Sequence, residues 1–164
     1  MFNVVYLALG NSVAIIIGQL LGAGKMKEAR DTDTKLIAFA VASCMGIGAV
    51  LALLAPLFPM IYNTTDEVRG LAASFIRIIA LFMPVGAFLN ASYFTLRSGG
   101  KTMVTFLFDS VFTWVVVVPV AFLLAHGTGL GIVSVYFLVQ ATELIKVVIG
   151  YCMVRSNVWV VKMV

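Results

Sequence analysis

Five long apolar blocks, divided by short polar or glycine-rich breaks, constrain this chain more than any other feature. They run over 4–23, 36–58, 71–96, 104–125 and 132–154. A helix needs about 20 apolar residues to cross the ~30 Å hydrocarbon core of a bilayer, and every block supplies that length. None alternates apolar and polar residues as a barrel strand does. Composition agrees: 62% of the residues are hydrophobic and 11% charged, against about 45–50% and about 25% in a soluble domain. Too little polar surface remains to cover a water-soluble globule. The expected fold class is all-α, a polytopic membrane bundle of five transmembrane helices over 4–24, 26–58, 66–97, 102–125 and 129–154, with 155–164 as a tail.

The breaks have their own chemistry. Gly22-Ala23-Gly24 is expected to stop the first helix, since glycine tolerates the left-handed conformation of a helix C-terminus. Asn63 to Glu67 follows Pro56 and Pro59 as a turn, with Thr64 and Glu67 at capping-box spacing. Ser98-Gly99-Gly100 and His126 to Gly129 close the remaining pairs. All the connections are short, so consecutive helices run antiparallel.

The net charge of +4 is split into short groups and forms no basic stripe for nucleic acid. Lys25, Lys27, Arg30, Lys35, Arg97, Lys101, Arg155 and Lys162 fall at one set of helix ends, and only Arg69 near the other. The positive-inside rule then makes the first set cytoplasmic, with the N-terminus external and the chain multi-pass in the plasma (inner) membrane. Residues 25–34 are expected to stand in water, and Tyr62 and Trp159 to anchor at interfaces. No cleavable signal peptide is evident. Cys44 and Cys152 lie in apolar runs without metal or redox spacing, and burial is expected for both.

Ionisable groups inside spans are costly and mark function by default. Four qualify: Arg77, Asp109, Glu143 and Lys146. At about 1.5 Å per residue, Arg77 and Glu143 share a depth of roughly 15–20 Å from the external ends. Asp109 and Lys146 share a level nearer the cytoplasmic ends. Cross-helix pairs Arg77–Glu143 and Asp109–Lys146 are therefore possible, as is a local Glu143–Lys146 pair at i,i+3. Loss of Asp109 is expected to strand Lys146 if the two are paired; the alternative is a carboxylate that carries the transport ion. Asn11, Gln19, Asn90 and Gln140 are expected to face other helices or a cavity. Pro84 and Pro119 are candidate kinks. No catalytic set is present: His126 is the only histidine and has no nucleophile or acid near it in sequence. No enzyme activity, cofactor or bound metal is expected.

Several motifs, in order, carry a resemblance. "VAIIIGQLLGAGKMKEAR" (13–30) resembles the Gly-Gln-x-x-Gly-Ala-Gly signature of the multidrug and toxin extrusion (MATE) family, which ends the second helix of a six-helix lobe. "NTTDEVRGLAASFIRIIALFMPVGAF" (63–88), "LRSGGKT" (96–102) and "QATELIKVVIGYCMVRSNVW" (140–159) are similar to the external turn and fourth helix, the following cytoplasmic turn, and the last helix of that lobe. The resemblance implies a C-terminal lobe fragment, helices eight to twelve of twelve, whose partners are the N-terminal lobe and seventh helix, the bilayer and small organic substrates. It implies export of organic compounds by alternating access, coupled to H+ or Na+. In one branch of the family the cation site uses an acid in the middle of the tenth helix; here no acid occurs between Glu67 and Asp109. A lipid-linked precursor flippase of the same superfamily, or a small non-transporting assembly subunit, are the competing readings.

Overall fold

The computed structural model describes residues 3–61, 63, 65–156, 159 and 160, and among these every regular element is helical. Five helices are long and apolar enough to cross a membrane: α1 (Asn3–Gly22), α2 (Met26–Leu54), α3 (Asp66–Ser98), α4 (Thr102–Gly127) and α5 (Ile132–Arg155). The chain is a multi-pass membrane protein.

Two turns at the basic end are built alike. Gly24 (φ 73°) and Gly100 (φ 78°) take the left-handed conformation that a side chain disfavours. In each, the following lysine N–H reaches back five residues, Lys25 to Leu20 O at 2.9 Å and Lys101 to Leu96 O at 3.0 Å. The glycine N–H bonds three residues back, to Leu21 O and Arg97 O. These paired bonds satisfy carbonyls that a helix end otherwise orphans. At the other end α2 stops at Leu54, short of the expected 58. Pro56 has no N–H to continue the ladder, and a short 3₁₀ turn, Phe58–Ile61, follows.

α3 is the hub, packed against α1, α2 and the second half of α5. Small residues permit a close backbone approach: a Cβ on Gly48 of α2 would lie 2.6 Å from the Ala80 carbonyl oxygen of α3. One core cluster joins Val13, Ile17 and Leu21 to Leu96 and Trp159 at the basic end; another joins Cys44 and Leu51 to Ala80, Met83 and Ala87. Exposed Leu53, Phe106, Trp114, Phe122 and Val148 clothe the outer faces with hydrocarbon, as lipid contact requires.

Helical geometry changes in two places. The winding of α4 widens to π type over Leu107–Val111 and again over Thr113–Val117, just before Pro119, returning to α at Val118. A proline ring clashes with the carbonyl four residues back, here Val115, and the second widened turn moves that carbonyl aside. α3 by contrast runs through Pro84 as one helix. In α5 the ladder breaks at Thr142, whose N–H and hydroxyl both turn back to Val139 O.

Several expectations are corrected. Ala29 and Asp33 are buried rather than solvated, because they lie four apart on the one face of α2 that meets α3. Trp159 is no interfacial anchor: it is 1% exposed, with Nε1 donating to Val154 O at 3.0 Å and its carbonyl against Gly99, where a Cβ would clash. An indole body gains more from that apolar pocket than from the interface. Cys44 is buried but Cys152 is exposed, on the outer face of α5. The described N-cap of α3 is Thr65, without a side-chain capping bond. Tyr62, Thr64 and Lys162 lie outside the described residues.

Candidate functional site

Four helices, α1, α3, α4 and α5, enclose a cavity of about 510 Å³. α3 presents one stripe to it, Ile79, Phe82, Met83, Gly86, Asn90 and Tyr93, at the three- and four-residue spacing of a helix face. Facing it are Tyr6 of α1, Asp109 and Thr113 of α4, and Tyr136, Gln140, Glu143 and Lys146 of α5. Edge-on ring contacts brace the wall: Phe75 against Tyr136, Phe82 against Phe137 and Tyr93 against Phe108.

The chemistry of the cavity centres on Lys146. Its side chain is 3% exposed, and the ammonium donates to Asp109 Oδ1 at 3.3 Å and to Glu143 Oε1 at 3.2 Å. It also lies 5.3 Å from the centroid of the Phe112 ring, within cation–π range. The acids are more open, Glu143 at 28% and Asp109 at 58%. A buried cation thus bridges two helices while its carboxylates stay reachable from the cavity. Both acids sit where the winding is irregular: Asp109 in the first π segment, with Thr113 Oγ1 bonded to its carbonyl, and Glu143 directly after the break at Thr142. Wide turns and broken helices re-aim backbone and side chains, and they recur at functional sites.

Of the two cross-helix pairs that matched depth allowed, Arg77–Glu143 is not formed. Arg77 is exposed and lies two residues, about 200°, around α3 from Ile79, off the cavity stripe. Glu143 instead pairs within its own helix. Because Lys146 has two carboxylate partners, loss of Asp109 alone does not strand it. Asn90 and Gln140 line the cavity, and Asn90 Nδ2 donates to Gly86 O at 3.0 Å. Asn11 and Gln19 do not; both lie on the exposed face of α1. Sequence reasoning missed Tyr6, Tyr93, Tyr136 and Thr113, since hydropathy does not separate a cavity-lining tyrosine from a packing one. The spacing of Gly86, Asn90 and Tyr93 on one face was the available signal. Among the described residues no three His, Cys, Asp or Glu side chains cluster as a metal set.

A bundle of membrane helices around a polar, ion-paired cavity is compatible with a membrane transporter. The MatE family model matches residues 1–123, three quarters of the chain, and the chain belongs to that family of transporters. The match takes in α1 to α3 and most of α4, including Asp109; Glu143 and Lys146 lie beyond it. No curated protein matches the chain, and no solved structure does.

Proposed function

We propose that this chain is part of the C-terminal lobe, helices eight to twelve, of a cation-coupled antiporter that exports small organic compounds by alternating access, working with a seventh helix and a second helical lobe in the plasma (inner) membrane. The Lys146 bridge between Asp109 and Glu143 carries the reading. An intramembrane cation shared by two carboxylates can be displaced by another cation, H+ or Na+, or by a cationic substrate. Displacement at Asp109 releases the link between α4 and α5, which meets the need of alternating access for a ligand-dependent contact between moving helices. The volume and aromatic lining of the cavity suit a small organic molecule, since ligand sites run to about 300–1,000 Å³. The basic turns at Gly24–Lys25 and Gly100–Lys101 face the cytoplasm in this reading.

The test is accumulation of a fluorescent organic cation in cells. The chain joined to an N-terminal lobe and seventh helix lowers accumulation, and the chain expressed alone does not. Export by the isolated chain would refute the two-lobe reading and point to self-association.

A further inference from the structure

A second groove, of about 690 Å³, opens between α2 and the C-terminal end of α5. It is separate from the charged cavity: its floor includes Phe88, about 200° around α3 from Gly86. α2 lines it from Arg30 and Thr34 through Ile37 and Val41 to Met45, a stripe of three- and four-residue steps about 22 Å long. The lining changes character along that length. At the basic end stand Arg30, Arg155, Tyr151 and Asp33; beyond Thr34 the α2 stripe is hydrocarbon. The apolar part, from Ile37 to Met45, measures about 12 Å, close to the ~15 Å depth of one leaflet.

Asp33 is the unusual member. It is 1% exposed, accepts a bond from Thr95 Oγ1 on Oδ1 at 2.5 Å, and among the described residues its Oδ2 has no partner. A buried acceptor without a donor is costly. Two guanidinium groups and one carboxylate at the head of an apolar groove match a phosphate that carries a donor-bearing amine.

We propose that this groove binds a phosphatidylethanolamine-type phospholipid of the leaflet at the basic end. Arg30 and Arg155 hold the phosphodiester, Asp33 Oδ2 accepts from the head-group ammonium, and one acyl chain lies along α2 to Met45. Arginine suits phosphate through its planar array of donors, and basic pockets between membrane helices are established head-group sites. The inference rests on membrane embedding and not on the transport reading.

Trp159 lines the same groove and provides the probe. With Trp114→Phe it becomes the only tryptophan. The full chain is reconstituted in phosphatidylcholine vesicles doped with brominated phosphatidylethanolamine or brominated phosphatidylcholine, which differ at the head group only in N–H donors. Trp159 quenching is expected to half-saturate at about tenfold lower mole fraction of the ethanolamine lipid, the size of one charge-assisted hydrogen bond. Asp33→Asn, which keeps the size of the side chain beside Thr95, should remove that preference. Arg30→Gln with Arg155→Gln should weaken both lipids, and lysine at both positions should restore part of the binding. Equal quenching by the two lipids in the otherwise unaltered protein overturns the proposal. So does quenching indifferent to the arginine changes, or none at all, which means a protein segment fills the groove.

Discussion

Lys146 Nζ lies 3.3 Å from Asp109 Oδ1, joining two membrane helices at residues 37 apart in the chain. The same ammonium also holds Glu143 at 3.2 Å. The two contacts differ in what they restrain. The Glu143 contact closes within one helix and limits only side chains, whereas the Asp109 contact ties α4 to α5. A change at Asp109 therefore alters how helices are held without leaving a buried charge alone.

Asp109→Asn should accumulate in the membrane close to the unaltered level, because Glu143 still neutralises Lys146. In the full-length transporter the same change should abolish ion-coupled export, read as dye accumulation equal to that of cells without the protein. Normal export with normal yield would remove Asp109 from the coupling role.

Removing both acids is a different matter. Asp109→Asn with Glu143→Gln leaves a buried ammonium without a carboxylate, which costs about 3–5 kcal/mol in comparable buried pairs. Membrane yield and thermal stability in detergent should both fall. Adding Lys146→Met should restore most of the loss, and failure of that rescue would show that the acids have structural partners besides the lysine.

Gly48→Ala tests the close approach of α2 and α3. The added Cβ meets the Ala80 carbonyl at 2.6 Å, and backbone cannot turn aside as a side chain can. The expected loss is about 1–3 kcal/mol, seen as a lower melting temperature of the purified protein. Gly46→Ala on the same helix meets nothing within 4 Å and should be neutral or slightly stabilising.

Thr95→Val removes the only hydrogen-bonded partner that Asp33 has among the described side chains. Its buried carboxylate then has no donor left within the described residues, at an expected cost of about 1–3 kcal/mol. Thr95→Ser keeps the hydroxyl and should lose much less. Equal losses for the two would assign the effect to packing of the threonine methyl.

Orientation is tested by cysteine labelling in intact cells, after replacing the exposed Cys152 with serine. Cysteines at exposed Thr65 and Thr128 should react with an impermeant reagent, and one at exposed Lys27 only after permeabilisation. The opposite pattern would invert the proposed topology.

The sequence by itself determined the number and course of the spans, because crossing a bilayer is a sum of transfer energies over about 20 consecutive residues, a local property. It also determined the turns at Gly24 and Gly100, where only glycine takes the backbone conformation freely. Depth could be counted along each helix, so Asp109 and Lys146 were legible as residues at one level. Rotation about each helix axis could not be counted, since in a chain apolar on every side the hydrophobic pattern marks no inner face. Packing decided it. That is why Glu143 bonds Lys146 while Arg77 faces outward, why Asp33 leaves the charged overhang of α2 to bond Thr95, and why Trp159 folds back onto Gly99. The π winding of α4 that carries Asp109 on a widened turn was also beyond sequence reasoning: Pro119 announces a disturbed ladder only in the turn before it, and Asp109 lies further upstream.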